Sequence, residues 1–185
     1  MKKAKPRLVR AMVAMDLPQV YDIELQSAAI QSELSDMRVI AWEMQDLRHY
    51  LARTMTCPCH VIECADGIAA FSVMEKTKMF SYRMHNLATR QSWQQKGICD
   101  ALLQFVLEKY SRCCISMMVR KHNQPVKHVL GKHGFTLRKI FFNAYDNIDS
   151  DDAGARYEDG LLMVREPVIA RKKPDLSHSY LFQKV

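Results

Sequence analysis

Hydrophobic and polar positions along the chain change period several times, and each change predicts an element. Residues 8–12 form a short apolar run broken by Arg10, which predicts an opening strand. Asp16 then stands at a helix start with Gln19 three residues later, the spacing of a capping box. Leu17, Val20, Ile23 and Glu24-Leu25 continue at helical period. A second amphipathic helix is predicted over residues 42–51, where Leu47, Tyr50 and Leu51 recur at spacings of three and four. Pro58 ends it. Two apolar runs, 61–64 and 68–74, flank Ala65-Asp66-Gly67 and read as a hairpin. Residues 79–89 read as a longer strand in which Phe80, Tyr82 and Met84 alternate with Ser81, Arg83 and His85.

The second half alternates between the two periods. Ile98, Ala101, Leu102, Phe105 and Val106 form one stripe of a helix over 97–110. Residues 115–120 read as a buried strand. Asn123 can cap a short helix that stops at Gly134. A strand over 136–145, a polar and acidic loop over 146–160 and a last strand over 161–164 complete the chain. The order is β, α, α, a β-meander, α, β, α, β, β. That is an α+β, or mixed α/β, architecture built around one sheet.

Composition narrows the class. At 185 residues, 48% hydrophobic and 25% charged, the chain fits one soluble domain able to bury a core without metals or disulfides. No apolar run approaches the roughly 18 residues that would span a bilayer, so no membrane partner is expected. The basic start, Met1-Lys2-Lys3-Ala4-Lys5-Pro6-Arg7, is followed by no apolar h-region, so a cytoplasmic protein is expected. Cys57, Cys59, Cys64, Cys99, Cys113 and Cys114 are then read as reduced thiols. Cys57-Pro58-Cys59-His60 has the look of a metal corner, but the later pair Cys113-Cys114 has no spacer. No metal is expected there.

The formal net charge is +7. Lys2, Lys3, Lys5, Arg7 and Arg10 cluster at one end, and Arg171-Lys172-Lys173 near the other. Such ends are either solvated tails or docking patches for RNA or the ribosome. No aromatic side chains interleave with the charges as stacking platforms would.

Chemistry concentrates between residues 86 and 103. A strand runs out, a polar turn follows, and a helix begins at Gly97. Backbone N–H groups of such a turn, with the helix N-terminus, can hold a phosphate or pyrophosphate. Glycine lets the backbone approach the ligand, and Lys96 adds positive charge. Read on these features alone, a plain structural turn remains the alternative.

Gln94-x-x-Gly97-x-Cys99 resembles the Gln/Arg-x-x-Gly-x-Gly/Ala signature of the GCN5-related N-acetyltransferases, the GNAT superfamily. Further segments, in order, resemble its ribosomal-protein-alanine acetyltransferase branch. They are Val9-Arg10-Ala11-Met12 with Asp16-Leu17-Pro18-Gln19-Val20, Ala41-Trp42-Glu43-Met44-Gln45-Asp46-Leu47 and Val119-Arg120-Lys121-His122-Asn123. His133-Gly134-Phe135, Asn143-Ala144-Tyr145 and Glu158-Asp159-Gly160-Leu161-Leu162-Met163 follow. The resemblance implies a basic tail over 1–7, a GNAT domain over 8–166 and an extension over 167–185. It also implies a twisted, mostly antiparallel sheet of six to seven strands flanked by helices, with a splayed cofactor cleft.

The implied cofactor is acetyl-CoA, and the implied acceptor a primary amine, most plausibly a protein or peptide N-terminus. Leu87, Ala88 and Thr89 occupy the strand that binds the pantetheine arm in the family. Gln94, Gln95, Lys96, Gly97, Ile98 and Cys99 occupy the pyrophosphate loop, with Cys99 in place of the usual small residue. Asn123 matches a family asparagine that contacts the cofactor, a role compatible with capping the helix that follows.

Two positions depart from the branch. Its glutamate base falls on Met118 and its tyrosine acid on Leu130, both apolar here. Glu158 and Tyr145 are then the candidates for proton transfer, along with His85 on the strand leading to the cofactor site, although strand alternation favours reading His85 as a residue turned to solvent. Backbone near Ala88 and Thr89 could meet the oxyanion. Two other readings stay open: catalysis by positioning alone, and a non-catalytic acyl-CoA-binding or regulatory module.

Overall fold

A computed structural model describes residues 8–35, 37–146 and 157–168. The expected tail at 1–7, residues 169–185 of the expected extension over 167–185 with Arg171-Lys172-Lys173, and most of the acidic loop, 147–156, lie outside the described residues. The elements are β1 (Leu8–Ala11), α1 (Leu17–Ser35), α2 (Met44–Ala52), β2 (Cys59–Cys64), β3 (Gly67–Lys78) and β4 (Ser81–Thr89). They continue with α3 (Ile98–Lys109), β5 (Cys114–Arg120), α4 (Gln124–Lys132), β6 (Thr136–Asp146) and β7 (Tyr157–Arg165). Short 3₁₀ turns precede α1 at Ala14–Asp16 and follow β4 at Gln91–Trp93.

The seven strands form one open sheet in the order β1-β2-β3-β4-β5-β7-β6. Every neighbouring pair is antiparallel except β4 and β5, which run parallel. A parallel pair needs a crossover, and α3 supplies it. The mixed α/β class and the mostly antiparallel sheet agree with the sequence reading.

Each face of the sheet carries its own core. On one face Leu102, Leu103 and Val106 of α3 and Leu130 of α4 pack on Met84, Ile115 and Met117. On the other, Leu17, Val20 and Ile23 of α1 and Leu47 of α2 pack on Val61, Phe71, Val73 and Ala88. The helical stripes read from the sequence bury at Leu17, Val20, Ile23, Leu47, Leu102 and Val106, but Leu25 is 45% exposed while its neighbour Glu24 is buried. No helix among the described residues is long and apolar enough to cross a membrane.

Local readings needed revision where a side chain found a distant partner. Gln19 closes no capping box; its Oε1 accepts the Ile68 N–H at 2.9 Å, tying α1 to the start of β3. Asp16 instead accepts the Val13 N–H at 2.8 Å and the Arg10 guanidinium at 2.7 Å. The predicted strand over 79–89 begins later, because Phe80 adopts φ 57° and turns β3 into β4. The last strand starts at Tyr157, within the expected loop.

His60 on β2 is buried at 1% exposure. Its ring meets Phe105 and Tyr110 edge-on, at centroid distances of 5.6 and 6.0 Å. Nε2 lies 3.3 Å from Lys109 Nζ, and Nδ1 has no partner among the described residues. Burial first, and the Lys109 charge second, push the imidazole down to about 4. The unfolded chain takes up this proton near 6.5 and the folded chain only near 4, so stability falls as pH drops between those values. The loss amounts to about 3 kcal/mol. Urea unfolding of the wild type and of His60→Leu from pH 7 to 4 should show the variant losing about 3 kcal/mol less; parallel curves would refute the assignment.

Candidate functional site

The cleft exists because two strands part. β4 and β5 pair over only four residues each, from Ser81 opposite Cys114 to Met84 opposite Met117. Beyond Met117, β5 continues to Arg120 against β7, while β4 continues to Thr89 against β3. The edge of β4 that faces β5 therefore has no strand beside it from His85 to Thr89. A cleft of about 560 Å³ opens there, between α1, the ends of β4 and β5 and the starts of α3 and α4.

A bulge shapes its wall. Val73 pairs with Asn86 and Met74 with Met84, so His85 has no residue opposite it on β3. Met84 and Leu87 join the core under α3, while Ala88 joins the core under α1. His85 and Asn86, the two residues between, both turn toward the α1 and α2 side. Asn86 Nδ2 donates to Glu24 Oε2 on α1 at 2.7 Å, and the His85 ring lies 5.1 Å from Tyr50 and 6.0 Å from Trp42.

The loop after β4 presents unpaired donors. From Gln95 to Asp100 no backbone N–H donates to an acceptor among the described residues. Pairing resumes at Ala101, whose N–H reaches Gly97 O at 3.1 Å. Gly97 is the N-cap of α3 with φ 76°, a left-handed conformation that glycine adopts without strain, and Gln95 also has positive φ. A Cβ built on Gly97 would meet nothing within 4 Å, so the backbone there is open to a ligand. The successive N–H groups and the α3 N-terminus together form an anion cradle. Thr89 Oγ1 is buried on the cleft wall, and among the described residues its one neighbour in side-chain hydrogen-bonding reach is the Cys99 thiol.

Asp100 also lines the cleft near this cradle, and Lys132 Nζ and His133 Nε2 hold its Oδ1 at 2.9 and 3.0 Å. The Lys132 bond comes first among the causes that lower the Asp100 carboxyl below its ordinary value. The Lys132 ammonium thus offsets a carboxylate that would otherwise repel an anion.

The structure brings most of the sequence-derived residues onto one cleft. Leu87, Ala88, Thr89, Gln94, Gln95, Gly97, Ile98, Cys99, Asn123 and Tyr145 all line it. Lys96 does not; its Nζ donates to Ser92 O at 2.6 Å and sits 4.9 Å above the Trp93 ring. Burial pushes the Cys99 thiol up to about 11, so at neutral pH it is a neutral wall residue. Asn123 caps α4 by accepting the Val126 N–H at 3.2 Å while facing the cleft.

Glu158 and Tyr145 differ in placement. Glu158 is 2% exposed and does not line the cleft. Its oxygens accept from Arg120 Nη1 at 3.2 Å, from the His122 N–H at 2.8 Å, and meet His122 Nδ1 at 2.9 Å. Those bonds fix the corner between β5 and α4. Tyr145 borders the cleft with the Arg120 guanidinium 4.1 Å from its ring centroid, and burial raises its hydroxyl. Met118 lines the cleft close to Tyr145, both near the space a Cβ on Gly160 would fill. Leu130 is fully buried in the core.

Sequence reading named His85 but missed the carboxylates that hold the polar cluster on the α1 and α2 side, Glu24 and Glu75. Glu24, buried in α1, accepts the Trp42 N–H at 3.2 Å as well as the Asn86 amide. Burial raises its carboxyl above the usual range. His85 Nε2 lies 2.9 Å from Glu75 Oε2. The one available signal was a carboxylate, Glu24, on the apolar face of a helix.

Comparison with known proteins places this geometry. A model of the acetyltransferase (GNAT) family matches residues 18–135. No curated protein matches by sequence. Among solved structures, the ribosomal-protein-S18-alanine N-acetyltransferase of Escherichia coli superposes with TM-score 0.72 at 18% identity, over 90% of this chain and 97% of that one. The ribosomal-protein-alanine N-acetyltransferase of Brucella melitensis gives 0.68 at 16% identity, over 86% and 99%. The yncA protein of Salmonella typhimurium, solved with its cofactor acetyl-CoA, gives 0.69 at 15% identity, over 93% and 99%.

Glu24 ties the segment bearing Trp42 to the bulge on β4. Glu24→Leu leaves the Trp42 N–H and the Asn86 amide without acceptors and should cost about 2 kcal/mol in urea unfolding. Glu24→Gln keeps an acceptor oxygen and should cost less than half of that. Equal stability of wild type and Glu24→Leu would show that the tie carries no energy.

Proposed function

This chain belongs to the acetyltransferase (GNAT) family, and from that premise we propose that it moves an acetyl group from acetyl-CoA to a primary amine, most plausibly a protein or peptide N-terminus. The carrying observation is the run of open N–H groups from Gln95 to Asp100 at the mouth of the β4–β5 cleft. They would hold the pyrophosphate, with Gly97 allowing close approach. The free edge of β4 at Leu87, Ala88 and Thr89 would pair with the amides of the pantetheine arm. Asn123 would meet the arm from the α4 side. Acetyl-CoA supplies the activated thioester.

The chain's own contribution is placement. The cleft aligns the thioester along β4, and a backbone N–H near Ala88 or Thr89 would meet the carbonyl oxygen as it gains charge. An acceptor would enter from the α1 side, past the wall formed by Trp42, Met118 and Tyr145. Holding both reactants in one geometry lowers the entropic part of the barrier. Tyr145, raised by burial, is a neutral hydroxyl able to donate a proton within this space. Glu158, buried outside the cleft with both oxygens bonded, would act only by holding Arg120 and the β5–α4 corner.

A second reading is an acyl-CoA-binding module without turnover. It rests on the apolar Met118 and Leu130 at the positions where the resembled branch carries its base and acid.

Calorimetric titration with acetyl-CoA, with free thiol followed in the same sample, tests both. The wild type should bind, and Gly97→Trp, which fills the cradle, should lose at least 10-fold in affinity while melting as a folded protein. Undiminished binding by a folded Gly97→Trp would remove the site. Thiol release with free-amine peptides supports transfer; binding without release supports the module.

A further inference from the structure

The β4 bulge gives the cleft a histidine with the connectivity of a general base. His85 lines the cleft at 18% side-chain exposure. Its Nε2 lies 2.9 Å from Glu75 Oε2, and a carboxylate only accepts, so Nε2 carries the proton. Nδ1 is then the lone-pair nitrogen. It makes no hydrogen bond among the described residues, and it is not sealed from solvent. One ring nitrogen is thus anchored on a carboxylate while the other is free, the arrangement that lets a carboxylate orient an imidazole and stabilise it once protonated.

Surrounding groups fix this ring. Tyr50 on α2 and Trp42 before it pack on it at 5.1 and 6.0 Å and stack on each other at 5.0 Å. Glu75 on β3 is itself held by Arg53 Nη2 at 3.4 Å, and the His85 bond leads the causes that lower its carboxyl. The charged and titratable groups facing the pair are Arg53, Tyr50 and His49 at α2, Arg83 on β4, and Glu24 on α1 through Asn86. The bulge is essential to the placement: it lets His85 and Asn86 share the α1 and α2 side, where alternation would separate them.

Resting on the transferase reading above, we propose that His85 is the catalytic base of this cleft and Glu75 its positioning residue. In the step, His85 Nδ1 takes a proton from the acceptor nitrogen. That nitrogen bonds to the thioester carbonyl carbon, the carbon–sulfur bond breaks with its electron pair on sulfur, and the thiolate is protonated from solvent. The acceptor enters as the neutral amine and the His85 imidazolium returns its proton to solvent, matching the proton the thiolate takes up, so the products are the N-acetyl amine and the free thiol with atoms and charge in balance. The apolar Met118 then needs no replacement on β5, because the proton leaves toward β4.

The test uses the full chain and a pool of synthetic peptides with free α-amines and varied first residues, followed by thiol release. His85→Gln should lower kcat by about 100-fold or more, with the KM for acetyl-CoA and its calorimetric affinity unchanged. The acid limb of the wild-type pH profile should vanish in His85→Gln. In Glu75→Gln it should move to lower pH with a lower plateau, since a neutral partner no longer favours the imidazolium. Added imidazole should restore part of the rate of His85→Ala, which a merely structural histidine would not allow. In the ligand-free protein, NMR of the imidazole nitrogens should show the proton on His85 Nε2 in the wild type and a tautomer mixture in Glu75→Gln. Full kcat in His85→Gln with an unchanged profile overturns the proposal and leaves the transferase reading standing. Acetyl-CoA binding with no thiol release by the wild type overturns it in favour of the binding module. Absence of acetyl-CoA binding overturns the transferase reading as well.

Discussion

Everything at this site depends on one limit in the sheet: β4 and β5 can pair for only four residues. β5 must run on beside β7, and β4 beside β3, and the two neighbours diverge past Met84 and Met117. Backbone groups within a sheet are ordinarily consumed by the next strand. Here the facing edge of β4 is left with a cleft instead, lined by apolar side chains from both cores and open to a chain-like ligand. The α3 crossover that makes the parallel pair possible also starts at the mouth of that cleft. Its N-terminal N–H groups are therefore unpaired where the strand edge ends. A strand edge followed by a run of unpaired N–H groups would suit a ligand with an amide-bearing arm and a pyrophosphate, as proposed above for this member of the acetyltransferase (GNAT) family.

Opposite the cradle, the cleft is polar for a different reason. One extra residue in β4 turns His85 and Asn86 the same way, toward α1 and α2. Each then finds a carboxylate from another element, Glu75 and Glu24. Glu24 also holds the Trp42 N–H, so the segment between α1 and α2 is pinned to the bulge rather than left as a free loop. The two ends of the cleft are thus organised by backbone donors at one side and by buried side-chain pairs at the other. Tertiary pairing of this kind makes a site rigid without relying on the loops that surround it.

Much of this was legible because it is local. The stripes Ile98, Leu102, Val106 and Val20, Ile23 announced buried helix faces, and the Asp66-Gly67 turn announced the hairpin. Gly97 at the strand–helix junction, after Gln94 and Gln95, pointed to the loop whose N–H groups are left unpaired, since a glycine there is itself a backbone statement. What escaped is non-local. A bulge leaves no mark on the alternation of Met84, His85 and Asn86; it is defined by register against β3. Gln19 looked like a cap because three-residue spacing is all a sequence displays, whereas its partner, Ile68, is far along the chain. His60 gave no hint of burial, since its neighbours Phe105, Lys109 and Tyr110 come from α3 and its end. Glu158 read as an acid available for chemistry, yet three donors from β5 and the turn after it surround it.

The most direct measurement of the central claim is amide mapping by heteronuclear NMR of the full chain titrated with CoA. The account predicts the largest, saturable shifts at the N–H groups of Gln95 to Asp100 and of Leu87 to Thr89, with Asn123 following. Shifts confined to the basic ends, or saturable binding that leaves the α3 N-terminus and the β4 edge unmoved, would contradict it.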